Sequence, residues 1–467
     1  MPRSVRLGEG AQATFADGLK LIRTQDKVPA GFPDDVLRAA DEAAARRPTT
    51  TEHRDRTDIA FVTLDPESST DLDQAFTIER DGNDLLLLYA IADVPWFVRP
   101  GDPLDVEAWE RGVTIYLPDG RAPLYPPALC EGAASLLPEG DRPAIVFTVR
   151  VEVDGLARLD GVERCLIRSR AKLAYESASA KDLPDGFDEF AARVESAEDQ
   201  RGASRIETPQ QAVEPDADGR YRLVFKPRLT NEDSNSAMSL ATNLAVADAL
   251  LSHHTGLFRV MAEPDEGAVR RLRFTAKAFD LDWPEAMTLA EFERTLHGNN
   301  PKHAAFMMAV RRSAGGADYA PYQEGVQPWH SAVAAPYCHA TAPLRRLADR
   351  YVLEAVLAVV NGQPLPPHVE EAFQTLPKTM DRAENRAGAV TRDAIDLVET
   401  VVLSGREGEV FDAIVTNVDE RGVQMQLREP AVLARIAAHG VEPGDALKVR
   451  LESVDVAVRQ VKFVRVS

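Results

Sequence analysis

The chain is poor in cysteine and has no long apolar run. Its three cysteines, Cys130, Cys165 and Cys338, are odd in number and far apart, which supports neither a zinc motif nor a disulfide framework and favours a reducing cytoplasm. No stretch approaches the ~18 apolar residues of a membrane-spanning helix, since the run LLLLYAIADV is soon broken by Asp93 and Pro95. The opening MPRSVRLGEGAQATF also lacks the apolar core of a signal peptide. We therefore expect a cytoplasmic protein without membrane contact.

Positive charge is scarce as well. The chain has 54 Lys+Arg against 74 Asp+Glu, a net charge of −20, which argues at first sight against a nucleic-acid partner. Net charge, however, governs solubility and long-range steering, and it does not describe any single groove. Residues 405–467 contain 9 Lys+Arg and 10 Asp+Glu, a net of −1, so the rest of the chain carries −19. The C-terminal region is thus the part whose net charge repels phosphate least.

Three regions follow from the periodicity of the apolar residues. Residues 1–56 are predicted to form a short helical module, with a helix-turn-helix-like arrangement as one alternative. Residues 57–403 begin with strands (IAFVTLD, AFTIERDGNDLLLLYAIADV) and continue with helices, which are predicted from Leu173 to about Ser204, at NSAMSLATNLAVADALLSHH, at Arg345–Val360 and at Val369–Leu403. Residues 404–467 switch to period 2 and suit a small barrel of five strands. The fold class is therefore α+β, a mixed sheet with helices followed by a five-stranded β-barrel.

An acidic cluster stands out near the first strand. The stretch DPESSTDLDQA places Asp65, Glu67, Asp71 and Asp73 within nine positions, where like charges raise the pKa of one another. A solvated loop is the ordinary interpretation. An EF-hand fails, because a loop starting at Asp71 lacks the required glycine and terminal glutamate. A magnesium site at a strand end remains, since Mg²⁺ takes a few carboxylates together with water and substrate phosphate. Spacing alone does not decide between the loop and the magnesium site.

The order of further motifs resembles the ribonuclease II (RNB) family. The pattern Asp65-x5-Asp71-x-Asp73 is similar to the catalytic signature of that family, and it is followed in family order by IADVPWFVRPGD, IYLP, SLLPEGDRPA, NSAMSLATNLAVA and YCHATAPLRRLADR. The final GEVFDAIVTNVDERGVQMQL…PGDALKVRLESVDV resembles the OB fold of the ribosomal S-one type that ends these enzymes. The resemblance covers about Ile59 to Ser467 and makes the last barrel an RNA-binding OB fold.

This resemblance implies a reaction and assigns the carboxylates. Members of the family hydrolyse single-stranded RNA processively from the 3′ end and release nucleoside 5′-monophosphates. A magnesium ion, with manganese as the alternative, activates water and neutralises the phosphate, and no small-molecule cofactor is implied. Asp65 and Asp71 are assigned to the metal, and Asp73 matches the carboxylate that is essential for cleavage. Gln74 stands where relatives usually have Asp, and its amide oxygen is a candidate metal ligand beside Asp65 and Asp71.

The resemblance also assigns the contacts to RNA. Arg345 is expected to stabilise the charge that develops on the phosphate, and Arg346 to bind RNA beside it. Tyr116 matches an aromatic that stacks on the terminal bases, and Phe225 is a candidate for the opposite side of that clamp. A surface helix start for the two arginines and a core position for the tyrosine are the ordinary alternatives.

Departures from the family pattern leave a second function open. Gln74 removes one charge from the metal site, Ala340 and Ala342 replace Phe and Ser before Arg345, and Asn235 and its neighbours lack the acidic residue expected before the methionine of the NSAM motif. The 56 N-terminal residues are too few for the cold-shock domains of many relatives, so we expect none there. The rival to the exoribonuclease is a catalytically silent RNA-binding protein on the same scaffold.

Overall fold

The N-terminal module is helical, as its sequence predicts. The computed structural model describes residues 5–6, 9–138, 140–204, 210–215, 221–226, 229–296, 300–313, 316–419, 422–427, 432–442 and 444–466. A short strand β1 (Val5–Arg6) precedes helices α1 (Glu9–Gln25) and α2 (Asp34–Ala45). The apolar face of α1 packs against the long last helix of the central domain, whereas α2 packs into the core of that domain. A helix-turn-helix-like arrangement stays a prediction.

A mixed seven-stranded sheet forms the centre of the next domain. In chain order, this region contains β2 (Arg54–Asp55), β3 (Phe61–Asp65), β4 (Gln74–Asp81), β5 (Asp84–Ala92), α3 (Val94–Phe97), α4 (Pro103–Arg111), β6 (Ile115–Leu117), β7 (Gly120–Ala122), β8 (Arg142–Val151), β9 (Ala157–Ile167) and β10 (Ser169–Ala174). The sheet order is β10-β3-β4-β5-β8-β9-β2, with the two outermost pairs parallel and the others antiparallel. Because β3 ends at Asp65 and β4 begins at Gln74, the acidic loop lies at one end of the sheet.

Helices cover this sheet and continue the domain. They and the intervening strands are α5 (Phe187–Arg201), β11 (Gln210–Pro215), β12 (Tyr221–Lys226), α6 (Thr230–Ser252), β13 (Leu257–Val260), α7 (Glu266–Ala278), α8 (Leu289–Glu293), α9 (Pro301–Ser313), β14 (Asp318–Pro321), α10 (Leu347–Val360) and α11 (Pro367–Leu403). The predicted buried helix is α6, and the last two predicted helices are α10 and α11. The helix predicted from Leu173 is wrong in its first part, because β10 continues to Ala174 and Pro184 and Gly186 delay α5.

Helices α7 to α9 form a small unit inserted between β13 and β14. These two strands pair with each other, so the insertion leaves and rejoins the domain at one place. Its helices enclose a separate apolar cluster that includes Leu272, Phe279, Trp283 and Phe306. Since this cluster buries the inward faces of the three helices, their outward faces are available for other contacts.

The C-terminal region is a five-stranded barrel, which confirms the predicted fold class. Its strands are β15 (Val410–Asp419), β16 (Gly422–Leu427), β17 (Leu433–Ile436), β18 (Ala446–Asp455) and β19 (Gln460–Arg465), in the order β17-β16-β15-β18-β19. Three parts of the chain meet at Arg459 of the barrel, which donates to Gln25 Oε1 of α1 at 3.0 Å and pairs with Asp393 of α11 at 2.6 Å. No helix among the described residues is long and apolar enough to cross a bilayer.

Candidate active site

A cavity of about 990 Å³ opens at the end of the sheet that carries the acidic loop. Its walls come from five places: the loop after β3, the β6–β7 hairpin, the residue that follows β10, the first half of α6 and the segment that leads into α10. The predicted site residues that line it are Asp65, Asp71, Asp73, Gln74, Tyr116, Arg345 and Arg346. The fold therefore brings together residues that are up to 281 positions apart in the chain. The side chain of Phe225 lies outside the part of the chain that the structure describes.

Asp73 is the most deeply held of the three aspartates. Its side chain is 6% exposed, and Oδ2 lies 3.3 Å from Nε of Arg345. Oδ1 accepts a hydrogen bond of 2.7 Å from the backbone N–H of Leu344. Burial raises the pKa of Asp73 to about 8, although Arg345 and the Leu344 N–H both act to lower it. The acidic loop is thus fastened to the PLRR segment through this one carboxylate.

Asp65 adds a second carboxylate of raised pKa to the cavity. It is the last residue of β3, so the strand aims its side chain at the end of the sheet. Burial raises its pKa to about 7, and the nearby charge of Asp71 acts in the same direction, whereas Arg345 and Lys172 oppose the shift. Two acids that ionise reluctantly in one cavity create a site in which a bound cation would be favourable.

Arg121 was not singled out by the sequence, yet it holds Asp71 in place. This arginine of β7 forms an ion pair with Asp71, donates to Thr70 Oγ1 at 2.7 Å and contacts Glu131 Oε1 at 2.9 Å. Its cross-strand partner in the β6–β7 hairpin is Tyr116. Because directly opposed residues point to the same face of a hairpin, the assignment of Tyr116 to the cavity was the signal that could have found Arg121.

Tyr116 presents an open aromatic face to the cavity. It is 51% exposed, whereas its neighbours Ile115 and Leu117 in the same strand are buried. Its hydroxyl lies 3.5 Å from Oδ2 of Asp71. The alternation of burial along β6 explains the exposure, since successive side chains of a strand point to opposite faces. The ring is therefore available for stacking beside the carboxylates.

Both the nitrogen and the oxygen of the Gln74 side-chain amide form hydrogen bonds within the protein. Its Nε2 donates to the backbone carbonyl of Thr341 at 2.6 Å, and its Oε1 accepts from the hydroxyl of Tyr89 at 2.7 Å. The Tyr89 hydroxyl also bonds Oγ of Ser239 in α6 at 2.8 Å. These contacts join the sheet, α6 and the segment before Arg345. A metal ion at Gln74 would have to share Oε1 with Tyr89.

The two consecutive arginines, Arg345 and Arg346, make different contacts. Arg345 is 46% exposed and reaches the cavity beside Asp73. Arg346 instead forks onto the fully buried Asp349, with its Nε and one terminal nitrogen 2.9 and 2.8 Å from the two carboxylate oxygens. Asp349 also accepts the backbone N–H of Ala342. Arg346 therefore lines the cavity while it holds the loop that presents Arg345, and its contact with RNA stays a prediction.

The donor chemistry of the cavity suits a hard cation, but the carboxylates are not gathered as a ready ligand set. Within the described ranges, no group of three or more His, Cys, Asp or Glu side chains is placed to hold an ion. Asp71 and Asp73 are each paired with an arginine. Carboxylate and amide oxygens are nevertheless the hard ligands that Mg²⁺ or Mn²⁺ takes, with water and phosphate as further ligands. The residues therefore fit such an ion in type.

Fold and cavity together define a class: an α+β domain with a carboxylate-lined cavity, followed by an OB-type barrel. The chain belongs to the RNB family. The family model described as RNB domain matches residues 53–362, and the model described as RNase II-type exonuclease C-terminal S1 domain matches residues 409–466. The family expected from the motifs is thereby confirmed, while the exact domain limits of 57–403 and 404–467 stay a prediction.

Curated relatives carry the name Ribonuclease R. The protein of Thermotoga maritima is 28% identical over 445 residues, which cover 86% of this chain and 61% of that protein. The protein of Escherichia coli is 25% identical over 473 residues, which cover 88% of this chain and 57% of that protein. This chain thus spans about 60% of the length of these relatives.

Solved structures show the same fold. Mycoplasma genitalium RNase R in complex with ribose methylated single-stranded RNA matches with a TM-score of 0.87 at 19% identity, covering 97% of this chain and 78% of that one. Yeast Ssd1, described as a pseudonuclease, matches with a TM-score of 0.67 at 16% identity, covering 84% of this chain and 51% of that one. At such identities the likeness establishes the architecture alone.

Proposed function

We propose that this protein is a magnesium-dependent 3′-to-5′ exoribonuclease that hydrolyses single-stranded RNA processively to nucleoside 5′-monophosphates. The observation that carries the proposal is the meeting of Asp73, Arg345 and the exposed ring of Tyr116 in one cavity. A carboxylate, a cation and an aromatic face are what an enzyme needs to act on a phosphate beside stacked bases. Family membership and the relatives named Ribonuclease R support the same reading.

Each residue has a proposed part. Tyr116 stacks on the 3′-terminal bases without regard to sequence, which suits stepwise movement along RNA. The half-exposed Arg345 binds the scissile phosphate and stabilises the charge that grows on its oxygens. Asp73 is the essential carboxylate, and its bond from the Leu344 N–H fixes it next to Arg345. Arg346 contributes to RNA binding at the cavity wall.

Asp65, Asp71 and Gln74 would hold magnesium, with manganese as the alternative ion. When bound, the metal supplies an activated water and neutralises the phosphate. The burial that raises the pKa of Asp65 and Asp73 makes a bound cation favourable, because a cation lowers the free energy of the ionised carboxylates. Arg121 would give up part of its contact with Asp71 to such an ion and keep its contact with Glu131.

The rival function is an RNA-binding protein without hydrolytic activity. The amide of Gln74, engaged by Tyr89 and Thr341, favours it, since one charge of the usual ligand set is missing and the remaining oxygen is shared. The presence of Asp65, Asp71, Asp73, Tyr116 and Arg345 in one cavity favours the enzyme. We also propose a cytoplasmic location, which suits three free and buried cysteines.

The test is digestion of uniformly labelled oligo-A with and without Mg²⁺. We expect nucleoside 5′-monophosphates from linear RNA in the presence of the ion and no cleavage after chelation. Circular oligo-A is the control, because it has no 3′ end and should stay intact. Binding of linear RNA without cleavage in Mg²⁺ or Mn²⁺ would establish the silent protein instead, and cleavage of the circle would contradict an exonuclease.

A further inference from the structure

The helical unit between β13 and β14 carries an unusual charge for this chain. Helix α7 has four Lys and Arg residues against one Glu, and α9 has three against none. The chain as a whole has a net charge of −20. Apart from Glu266 of α7, the acidic residues of the unit lie on α8 and on the loops that connect the helices. Positive charge is therefore concentrated on two helices of a protein that is acidic as a whole.

One side of α7 combines these cations with an exposed aromatic ring. Arg270, Arg271, Phe274 and Lys277 are all exposed, and their spacing of three and four positions places them on one side of the helix. We call these four residues the α7 face. Phe274 is 74% exposed, more than any other large apolar side chain of the described residues. Arg270 approaches Glu266 at 3.5 Å, an exposed pair that holds the guanidinium weakly.

The packing of the unit does not require this arrangement. The inward side of α7 is satisfied by Leu272, Ala276 and Phe279, which belong to the cluster of the unit. Arg273 is used internally: its guanidinium lies 4.2 Å from the ring centre of Trp283 and donates to backbone carbonyls nearby. The helix thus commits one arginine to structure and directs three cations and a phenylalanine to solvent.

The unit is attached to the wall of the cavity. Arg259 of β13 donates its backbone N–H to the carbonyl of Tyr337 at 2.8 Å, and its guanidinium lies over the ring of Tyr319 of β14. Tyr337 itself lines the cavity. The unit therefore belongs to the same domain as the cavity and is joined to its wall through β13.

We propose that the α7 face is a docking surface for single-stranded RNA outside the cavity, an inference that rests on the proposed function. Arg270, Arg271 and Lys277 would contact backbone phosphates, and Phe274 would stack on a base. Cations that flank an exposed ring match a strand that alternates phosphates and flat bases. An acidic protein segment would use the cations but gives the ring no matching flat partner. The contact would add to those of the cavity and of the nearly neutral barrel.

The experiment measures binding in chelator, where hydrolysis does not interfere. Fluorescence anisotropy on labelled oligo-A compares wild type with two variants, R270Q/R271Q/K277Q and F274A. The RNAs are about thirty and about six nucleotides long, lengths above and within the reach of a single binding site. The control for charge is R38Q/K181Q/K378Q, which removes three exposed cations from separate elements. The control for lost apolar surface is L156A, at a residue 53% exposed on the β8–β9 turn. Circular dichroism checks that each variant is folded.

We expect both α7 variants to bind the long RNA about fivefold or more weakly than their controls, as loss of one stacked base or several phosphate contacts implies. The triple variant should also flatten the dependence of log affinity on log salt by about two, since each contact with single-stranded RNA contributes about 0.7. Affinity for the short RNA should not change. Equal affinity and salt dependence for R270Q/R271Q/K277Q and its control would overturn the proposal, and so would F274A that binds like L156A.

The proposed hydrolysis is tested separately, by digestion of the short RNA in Mg²⁺. If wild type fails to cleave while the α7 variants lose affinity for long RNA, the docking surface stands and the proposed enzyme does not. If wild type cleaves the short RNA and the α7 variants bind the long RNA normally, the proposed enzyme stands and the docking surface does not. The last arm is a competition between poly-glutamate and labelled RNA. If the two compete equally well in wild type and in F274A, the α7 face binds acidic protein and the RNA proposal is overturned.

Discussion

The cavity and the α7 face use arginine in opposite ways. In the cavity, Arg121 is paired with Asp71 and Arg345 with Asp73, so the direction of each cation is set by a carboxylate. On the α7 face the cations project into water. Fixed charges act on one bond and govern rate, whereas exposed charges gather a polyanion and govern affinity. Changes to the carboxylates of the cavity should therefore alter cleavage with little loss of binding, and changes on surfaces should do the opposite.

The largest effect is expected for Asp73→Asn. Loss of this anion should lower the rate on oligo-A by at least about a hundredfold, a barrier increase of about 2.7 kcal/mol. RNA affinity in chelator should stay close to that of wild type, because neither the groove nor the ring of Tyr116 changes. Single-turnover digestion and anisotropy measure the two quantities.

The matched control for this change is Glu67→Gln. It removes a charge from the same loop at an exposed position that does not line the cavity. Its rate should stay within about twofold of wild type, as expected for an exposed site. Equal losses in both variants would mean that the charge of the loop, and not the position of Asp73, matters.

A smaller loss is expected for Arg121→Gln. Without the guanidinium, Asp71 loses a counter-charge and the hairpin that carries Tyr116 loses its tie to Thr70 and Glu131. The rate should fall by about tenfold, a barrier change of about 1.4 kcal/mol. Mn²⁺ binding, followed by electron paramagnetic resonance, should be unchanged or tighter, because a competing cation has been removed.

Arg23→Gln is the matched control for that hairpin. Arg23 of α1 pairs at 2.8 Å with Asp119, in the turn between β6 and β7, and neither side chain lines the cavity. Its loss should leave both the rate and Mn²⁺ binding near wild type. A rate for Arg121→Gln that matches the rate for Arg23→Gln would remove Arg121 from the functional residues.

Removal of the barrel from about Gly408 onward should change affinity and leave chemistry in place. The region is nearly neutral in a strongly acidic chain, and its proposed RNA contacts add to those of the cavity. We expect RNA binding to weaken by about tenfold and its salt dependence to become less steep, while short oligonucleotides are still cleaved. Equal affinity and equal salt dependence of both proteins would exclude the barrel from the path of the RNA.

The smallest effect is expected for Gln74→Asp. An added carboxylate should lower the magnesium concentration for half-maximal rate, but only by about threefold, or roughly 0.6 kcal/mol, because a carboxylate has no N–H to donate to the carbonyl of Thr341. Gln74→Glu is the control, since it keeps the length and adds the charge. An unchanged magnesium dependence in both variants would make Gln74 a positioning residue.

The sequence predicted elements better than it predicted contacts. The helices at α6, α10 and α11 and the barrel have strong periodicity, and the ordered motifs placed Asp65, Asp73 and Arg345 in one family site. Arg121 was missed because its relevance depends on hairpin register, which no motif specifies.

Other contacts of the site depend on the tertiary fold and left no local signal. The bonds of Gln74 reach Tyr89 and Thr341, the latter 267 positions away. The exposure of Phe274 could not be predicted either, because the pattern of an amphipathic helix does not show which of its apolar residues stays exposed.

The contact of Arg459 with Gln25 and Asp393 has a mechanical consequence. It ties the last domain, the first helix and the longest helix together at one guanidinium, so that the end of the chain is fastened to its beginning. Tension applied to a strand held in the barrel would pass through this junction into α11, whose length carries it along the central domain. Pulling on the C-terminus should therefore load α1 and α11 as well as the barrel.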